Sequence, residues 1–368
     1  MSSFPIEQKV GQFLFIGIPG KTIDADTQRV LKEIQPGGVI LFARNLESPQ
    51  QVAELTQDLR RFIRVPPMIS IDQEGGRVDR LRTITEPMPS AQDIRATGDA
   101  RLSYELGFLT AEMLRLLGLN MNFAPVLDLA VVEGQDNALQ DRWFGSNSLK
   151  VTRLAGAYLE GLQNHGIIGC GKHFPGLGDS SVDSHKELPT VHRSQAQLMA
   201  EDISVYQNLF YSLNTRLHAI MLAHACYPTF DGNAGIPASL STNIVTDLLR
   251  KKLEFGGIAI SDDLEMGAIA KTYEFKDAVL QAMLAGEDML LICNTMDRAV
   301  EAHQVLVKAA GENKLTRNRI EQSIDRIAKV KSRATAAPVF DSIAFQRLAE
   351  RMVNLKHSIA AQLAHSGR

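Results

Sequence analysis

Short runs of Val, Ile, Leu, Phe and Met recur along the chain and alternate with longer segments in which apolar residues follow a helical period. Continuous apolar runs are typical of strands that are covered on both faces, as in a parallel sheet. Eight such runs predict strands at 12–18, 38–42, 68–72, 121–127, 167–170, 219–223, 257–261 and 289–293. Eight strands separated by helices favour an α/β fold, a (β/α)8 TIM-type barrel. The prediction includes the option that the first strands are irregular. An open doubly wound sheet is the alternative.

The segments between these runs support the barrel. In residues 151–162 the apolar side chains Val151, Leu154 and Tyr158 fall on one helical face, and Gly166 follows as a stop signal. Similar faces recur at 50–62, 104–117, 242–253 and 297–309. No GxGxxG motif opens a helix after a strand, which weakens the dinucleotide-binding version of the open sheet.

The pattern divides the chain into a catalytic barrel over residues 1–333 and a C-terminal extension over 334–368. The barrel unit ends in an amphipathic helix at 316–331. The stretch ATAAP at 334–338 predicts a linker, and 341–364 predicts a last helix that packs on the barrel or at a subunit interface.

Composition limits the classes of partner. The net charge of −3 gives no electrostatic reason to expect binding to nucleic acid or to an anionic membrane surface, and no apolar run reaches membrane-spanning length. The N-terminus lacks the features of a secretory signal. Cys170, Cys226 and Cys293 are widely spaced in apolar surroundings and fit reduced thiols. We therefore expect a cytoplasmic protein, monomeric or weakly dimeric.

Ionisable residues follow most of the central strands. They are Asp72, Asp128, Lys172, His173, His224, Asp262 and Asp263. The loop after the fifth strand adds Asp183 and His185, and its Pro and Gly residues disfavour a helix or strand there. Barrel enzymes build their active sites at the C-terminal ends of the strands, so these side chains predict one catalytic site.

This set of residues suits two chemistries. For glycoside hydrolysis, Asp262 or Asp263 supplies a carboxylate, His185 supplies a proton near neutral pH, and Asp183 orients the imidazole. Alternatively, His173, His185, His224 and Asp262 bind a metal for hydrolysis. The metal reading is weaker because the first strand ends in IGIPG rather than in the His-x-His usual in metal-dependent amidohydrolase barrels.

The stretch KHFPGLGDSSVDSH at 172–185 fits the pattern K-H-[FI]-P-G-x-G-x4-D-x-H and resembles glycoside hydrolase family 3, specifically its bacterial β-N-acetylglucosaminidases. Seven further blocks occur in the order expected for that family. They are PGGVILFARN (36–45), ISIDQEGGRVDRL (69–81), LNMNFAPVLDL (119–129), DRWFGSN (141–147), MLAHACYP (221–228), PASLS (237–241) and IAISDDLEMGAI (258–269). The resemblance covers nearly the whole barrel.

The resemblance implies a role for individual residues. Asp262 matches the nucleophile, and Asp183 and His185 match an Asp-His dyad in which His185 is the general acid and base. The positions that match sugar-binding residues are Asp72, Arg142, Lys172 and His173. We expect Asp128, His224 and Met266 to support these groups from behind, and Glu74 to pair with Arg77. No metal or cofactor is implied.

The function implied is that of a retaining exo-β-N-acetylglucosaminidase that removes a terminal, non-reducing GlcNAc through a glycosyl-aspartate. The small carbohydrate substrate is expected to be a peptidoglycan fragment, GlcNAc linked to anhydro-N-acetylmuramic acid. A β-N-acetylglucosaminide phosphorylase or a β-glucosidase of the same family remains an alternative. A metal-dependent hydrolase and a non-catalytic sugar-binding barrel are two further alternatives.

Overall fold

Eight parallel strands form a closed barrel in the computed structural model, which describes residues 4–130, 139–180, 187–213, 215–232 and 235–366. Each strand pairs with its neighbours in chain order, and the eighth pairs with the first. The strands are β1 (Leu14–Gly17), β2 (Gly38–Leu41), β3 (Met68–Ile71), β4 (Met121–Asn122), β5 (Ile168–Phe174), β6 (Ala219–Leu222), β7 (Ile258–Asp263) and β8 (Met289–Ile292). The predicted barrel is confirmed, and the open sheet is excluded.

Two strands differ from their predicted extents. Strand β4 ends at Asn122 rather than at 127, and Pro125, which has no backbone N–H, lies in the stretch that follows. Strand β5 continues to Phe174, so Lys172 and His173 lie on the strand and not in the loop after it. The prediction from sequence included the option of irregular first strands, but β1 and β2 pair in regular register. The shifts occur between β5 and β6 and between β7 and β8.

Side chains fill the barrel interior. The rings of Phe15 on β1 and Phe123 just after β4 meet at a centroid distance of 5.2 Å. These strands lie three positions apart around the barrel, so the contact spans its interior. Gly38 leaves room for the Phe15 ring, since a Cβ at this position would lie 2.4 Å from it. The barrel is therefore a packed core that is open only at its ends.

Helices surround the barrel, and several begin at a side chain that accepts a hydrogen bond from the first turn, as Ser48, Asn147 and Thr295 do. Among the described residues, no helix combines the length and the apolarity needed to cross a membrane. The helical segments are Ile6–Gly11, Ala25–Ile34, Pro49–Phe62, Ala91–Thr97, Ala100–Leu116, Ser148–Asn164, Gln195–Ala200, Asp202–Phe210, Pro228–Asp231, Asn243–Lys252 (a π-helix), Gly267–Ala270, Phe275–Ala285, Met296–Gly311, Arg317–Lys331 and Ser342–Ser366, with short 3-10 turns at Ala43–Asn45, Leu81–Thr83 and Ala238–Leu240.

The last helix, Ser342–Ser366, packs along the barrel's outer helix Ala100–Leu116. Phe345, Met352, Leu355 and Ile359 form its buried stripe. This spacing places them on one face of a helix. The C-terminal helix thus adds to the outer layer on the β3 and β4 side.

Candidate active site

A cavity of about 440 Å³ opens at the C-terminal ends of the barrel strands. Its size lies within the range of small-molecule sites, about 300–1,000 Å³. Its wall includes the predicted site residues Asp72, Arg142, Lys172, His173, Asp262 and Met266. The structure therefore brings together residues that are up to 194 positions apart in the sequence (72 to 266). Met266 was expected to lie behind the site, but it lines the cavity itself.

A wider groove of about 860 Å³ lies at the opposite end of the barrel. It is formed by the helix Pro49–Phe62, the stretches that lead into β3 and β4, and residues 334–340. Its ionisable side chains are Glu54, Arg60 and Lys331. The wider groove lacks the converging carboxylates of the smaller cavity, so we locate the site in the smaller one.

Two carboxylates and two cations form a buried cluster at the cavity wall. Lys172 Nζ lies 2.8 Å from Asp72 Oδ1 and 2.6 Å from Glu74 Oε1. Arg142 donates to both oxygens of Glu74, through Nε at 2.8 Å and Nη2 at 2.9 Å. Glu74 thus joins the two cations. The predicted pairing of Glu74 with Arg77 is wrong, because Arg77 is exposed and donates to the carbonyl of Gln140 at 3.4 Å.

The cluster fixes the charge of its members. Burial raises the pKa of Glu74, but Arg142 and Lys172 lower it far more, and the net pKa lies well below the ordinary value. Burial lowers the pKa of Lys172, but the carboxylates of Asp72 and Glu74 raise it above its ordinary value. Both groups are therefore charged at neutral pH. The cluster presents fixed donors and acceptors suited to sugar hydroxyls.

Asp262 is the penultimate residue of β7 and is partly exposed to the cavity. Burial raises the pKa of its carboxyl, whereas the imidazoles of His224 and His173 lower it when they are protonated. The backbone N–H of Asp263, 2.8 Å from Asp262 Oδ1, and the Lys172 ammonium lower it further. The net pKa lies below the ordinary value, so Asp262 is ionised at neutral pH and is able to act as a nucleophile.

Asp263, the other carboxylate considered, makes local hydrogen bonds. Its Oδ1 accepts from the backbone N–H of Glu265 at 3.1 Å and of Cys293 at 3.3 Å, and its Oδ2 accepts from Asn294 Nδ2 at 3.3 Å. Burial raises the pKa of Asp263 to about 7. A carboxyl with this pKa and these partners is less suited than Asp262 to attack a substrate.

Asp128 supports His173 from behind the cavity. It is fully buried, and its Oδ2 lies 2.7 Å from His173 Nδ1. Its Oδ1 accepts from the backbone N–H of Leu177 at 2.7 Å. The carboxylate requires a proton on Nδ1, which leaves His173 Nε2 as the nitrogen available to a substrate. Asp128 thus sets both the imidazole orientation and the path of the chain after β5.

His224 is also buried behind the cavity and has partners on both ring nitrogens. Nε2 lies 3.0 Å from the carbonyl oxygen of Asp263, and Nδ1 lies 2.8 Å from Ser239 Oγ. A carbonyl accepts only, so Nε2 carries the proton and Nδ1 accepts from the serine hydroxyl. Burial lowers the pKa of His224, which keeps it neutral. With both nitrogens engaged, His224 is not available as a metal ligand.

The predicted dyad, Asp183 and His185, lies outside the described residues. No group of three or more His, Cys, Asp or Glu side chains within the described ranges is arranged to hold a metal ion.

Four residues with charged side chains line the cavity but were not assigned to the site from sequence. They are Arg44, Glu74, Arg80 and Glu265. Glu74 and Arg80 follow Asp72 in the block DQEGGRVDRL, so their position after β3 was a usable signal. The Nε atom of Arg80 is buried and has no hydrogen-bond partner among the described residues. Arg44, three residues after β2, and Glu265, two residues after β7, also lie in the blocks quoted above, so the same signal was available for them.

Comparison with known families decides the identity. Residues 5–330 match the family model described as the glycosyl hydrolase family 3 N-terminal domain.

The chain belongs to glycosyl hydrolase family 3. It is 38% identical over 295 residues to a beta-hexosaminidase of Nitrosomonas eutropha, covering 78% of this chain and 82% of the relative. It is 35% identical over 292 residues to a beta-hexosaminidase of Haemophilus influenzae, covering 78% and 81%.

Solved structures agree with this family 3 assignment. A family 3 beta-N-acetylglucosaminidase from Paenibacillus sp. superposes with a TM-score of 0.88 at 34% identity over 96% of this chain and 69% of that chain. A family 3 member from Mycobacterium smegmatis superposes with a TM-score of 0.81 at 31% identity over 92% and 99%. The resemblance found in the sequence is confirmed, and this chain is a glycoside hydrolase.

Proposed function

We propose that this family 3 enzyme is a retaining exo-β-N-acetylglucosaminidase with Asp262 as its nucleophile. Its relatives named beta-hexosaminidase support the coarser activity, hydrolysis of N-acetylglucosamine glycosides. The observation that carries the finer assignment is the ionised carboxylate of Asp262 at the end of β7, in the same cavity as the Lys172 and Arg142 cluster. A retaining enzyme requires such a nucleophile together with a general acid and base.

In the proposed first step, an Asp262 carboxylate oxygen attacks the anomeric carbon while the bond from that carbon to the leaving oxygen breaks. The leaving oxygen takes a proton from the general acid, and a glycosyl-aspartate ester forms. In the second step, water attacks the same carbon and gives its proton to the now basic residue, and the ester bond breaks. Two displacements return the β configuration.

We assign the general acid and base to His185 and its orientation to Asp183. The support is the sequence motif, since both residues lie outside the described range. An imidazole has an unperturbed pKa of about 6.5, which lets one group donate and then accept a proton near neutral pH. An adjacent carboxylate stabilises the imidazolium and selects the tautomer.

Asp72, Lys172, Arg142 and His173 are proposed to hold the sugar ring. Lys172 and Arg142 are held by carboxylates before any substrate arrives, so ordering them costs little on binding. His173 Nε2 is directed to the substrate by the Asp128 contact on Nδ1. These groups orient the anomeric carbon toward Asp262, which is a contribution of position rather than of bond making.

The proposed natural substrate is a peptidoglycan fragment, GlcNAc linked to anhydro-N-acetylmuramic acid, met in the cytoplasm. The support is the sequence resemblance to bacterial β-N-acetylglucosaminidases. The cytoplasmic location, the monomeric or weakly dimeric state, and the absence of nucleic-acid and membrane partners stay predictions.

A phosphorylase is the second candidate, favoured by the cations that line the cavity. Arg44 and Arg80 lie there in addition to Arg142 and Lys172. An acid residue of histidine type repels an incoming phosphate less than a Glu carboxylate would. Inorganic phosphate that accelerates turnover and yields GlcNAc 1-phosphate would favour this alternative over hydrolysis.

The test is release of 4-nitrophenol from 4-nitrophenyl β-GlcNAc, with the first product anomer followed by proton NMR. We expect release by wild type, β-GlcNAc as the first product, and a loss of more than about 10³-fold in Asp262→Ala. Asp277→Ala removes an exposed carboxylate from the helix Phe275–Ala285 and serves as the matched control. Unchanged release by Asp262→Ala, or α-GlcNAc as the first product, would reject the assignment.

A further inference from the structure

The chain leaves β5 in a segment whose two ends are bonded to the loop after β6. At its start, Tyr227 Oη donates to the carbonyl oxygen of Gly176 at 2.7 Å. At its return, Cys226 N donates to Pro189 O at 2.8 Å, and Val191 N donates to Cys226 O at 2.9 Å. Two consecutive residues of the β6 loop, Cys226 and Tyr227, therefore hold both ends of the segment.

The start of the segment is closely fitted to its surroundings. Gly176 has a φ of +136°, and a Cβ at this position would lie 2.6 Å from Asp202 Cβ. Asp202 is buried and is ion-paired with Arg193, which follows the return of the same segment. Leu177 N is held by Asp128 at 2.7 Å. Tyr227 therefore acts together with Asp128 and the packing against Asp202 to fix this peptide.

The Tyr227 hydroxyl is a dedicated donor. The side chain is fully buried, and burial raises its pKa well above the ordinary value, so the hydroxyl stays protonated. Tyr206 offers a direct contrast under the same segment, since its buried hydroxyl has no partner within the part of the chain that the structure describes. Its ring packs edge-on against Phe174 at 5.1 Å. Tyr227 thus bonds the segment through its hydroxyl, whereas the Tyr206 hydroxyl makes no hydrogen bond to a described residue.

We propose that Tyr227 is a positioning residue for proton transfer, which fixes the start of the segment that carries Asp183 and His185. The inference rests on the proposed function, in which His185 protonates the leaving oxygen. Efficient proton transfer requires the acid within hydrogen-bond reach of that oxygen, and displacement of a catalytic group by about 1 Å costs on the order of 10²-fold in rate. Tyr227 does not line the cavity, so we do not expect it to contact the substrate.

Leaving groups of different acidity separate this role from a merely structural one. A 2,4-dinitrophenolate departs without a proton, whereas an unsubstituted phenol requires one. Loss of acid positioning in Tyr227→Phe should therefore lower kcat/KM for phenyl β-GlcNAc by about 10- to 100-fold while leaving 2,4-dinitrophenyl β-GlcNAc within about twofold. Tyr206→Phe removes a hydroxyl that has no described partner, so both substrates should keep their wild-type values.

The experiment measures kcat/KM for dinitrophenyl, nitrophenyl and phenyl β-GlcNAc with wild type, Tyr227→Phe and Tyr206→Phe. A steeper dependence on leaving-group acidity in Tyr227→Phe alone supports the proposal. An equal loss on all three substrates, or none, overturns it while wild-type turnover leaves the proposed function standing. A wild type that releases the leaving group from none of the three substrates overturns both the positioning role and the proposed function.

Hydrogen–deuterium exchange of peptides spanning 175–191 gives a second readout that does not need turnover. Loss of the Tyr227 anchor should speed exchange there in Tyr227→Phe and leave it unchanged in Tyr206→Phe. Exchange that is unaltered in Tyr227→Phe would overturn the anchoring role even if activity fell.

Discussion

Replacing Glu74 with Gln tests the cluster that holds the proposed sugar-binding cations. Glu74 accepts from Arg142 at 2.8 and 2.9 Å and from Lys172 at 2.6 Å, with its side chain only 5% exposed. The cluster has two cations, Arg142 and Lys172, and two carboxylates, Asp72 and Glu74, so its charges sum to zero. In Glu74→Gln they sum to +1, and the amide N–H₂ faces a cationic donor. Removing one partner from a buried ion pair costs about 3–5 kcal/mol. The Gln oxygen still accepts one bond, so we expect a loss of about 2–4 kcal/mol in the free energy of unfolding.

Urea unfolding at pH 7 measures this loss, and Glu105→Gln is the control. Glu105 pairs with Arg351 at 2.8 Å, but both side chains are well exposed, so that pair should contribute only about 0–1 kcal/mol. We also expect kcat/KM to fall about 10- to 100-fold in Glu74→Gln, because Arg142 and Lys172 lose their fixed positions.

The pH dependence gives the same test a sign. The pKa of Glu74 is lowered in the folded protein, so its stabilisation is fully present above the unfolded pKa of about 4.3 and is lost as pH falls toward the folded value. The difference in unfolding free energy between wild type and Glu74→Gln should therefore narrow below about pH 5. A Glu74→Gln protein that loses no more stability than Glu105→Gln, or a difference that widens in acid, would refute the reasoning.

Three further predictions concern the site. Asp128→Asn removes the charged acceptor of His173 Nδ1 and should lower kcat/KM, measured by steady-state kinetics, by about 10- to 100-fold. Its melting temperature, measured by calorimetry, should change less than that of Glu74→Gln. Because the pKa of Asp262 is lowered, the apparent pKa of the acid limb in the pH profile of kcat/KM should lie below the ordinary value of 3.8. An apparent pKa above 3.8, in protein that circular dichroism shows to be folded, would contradict the role of Asp262. Dialysis against EDTA should leave nitrophenol release unchanged, whereas loss of activity that Zn²⁺ restores would favour the metal-dependent alternative.

Repeated local patterns made the fold predictable. Most strands contain a short apolar run, and several outer helices are amphipathic segments that begin at a capping side chain. What the pattern missed depends on distant contacts. Strand β5 extends through His173 because β6 pairs with Lys172 and Phe174 on either side of it. In the stretch after β4, Leu127 N donates to Lys172 O at 2.6 Å. An apolar run that ends at Cys170 carries no sign of this.

The site was predictable where a motif names its residues and less so where geometry chooses partners. Asp262, Lys172 and Asp72 were identified from sequence blocks and line one cavity. Glu74 was paired with Arg77, its near neighbour, but the structure pairs it with Arg142, 68 residues away. Proximity in sequence favours short pairs, whereas the closure of the barrel sets which loops meet.

Mass spectrometry of the covalent intermediate tests the central claim most directly. A fluorinated N-acetylglucosaminyl substrate with a good leaving group slows the second displacement and lets the glycosyl-enzyme accumulate. After an acid quench and peptic digestion, we predict one added fluoro-N-acetylglucosaminyl group on the peptide that contains Asp262, and on Asp262 itself when the peptide is fragmented. Turnover of that substrate with no adduct, or with an adduct on another residue, would contradict the account.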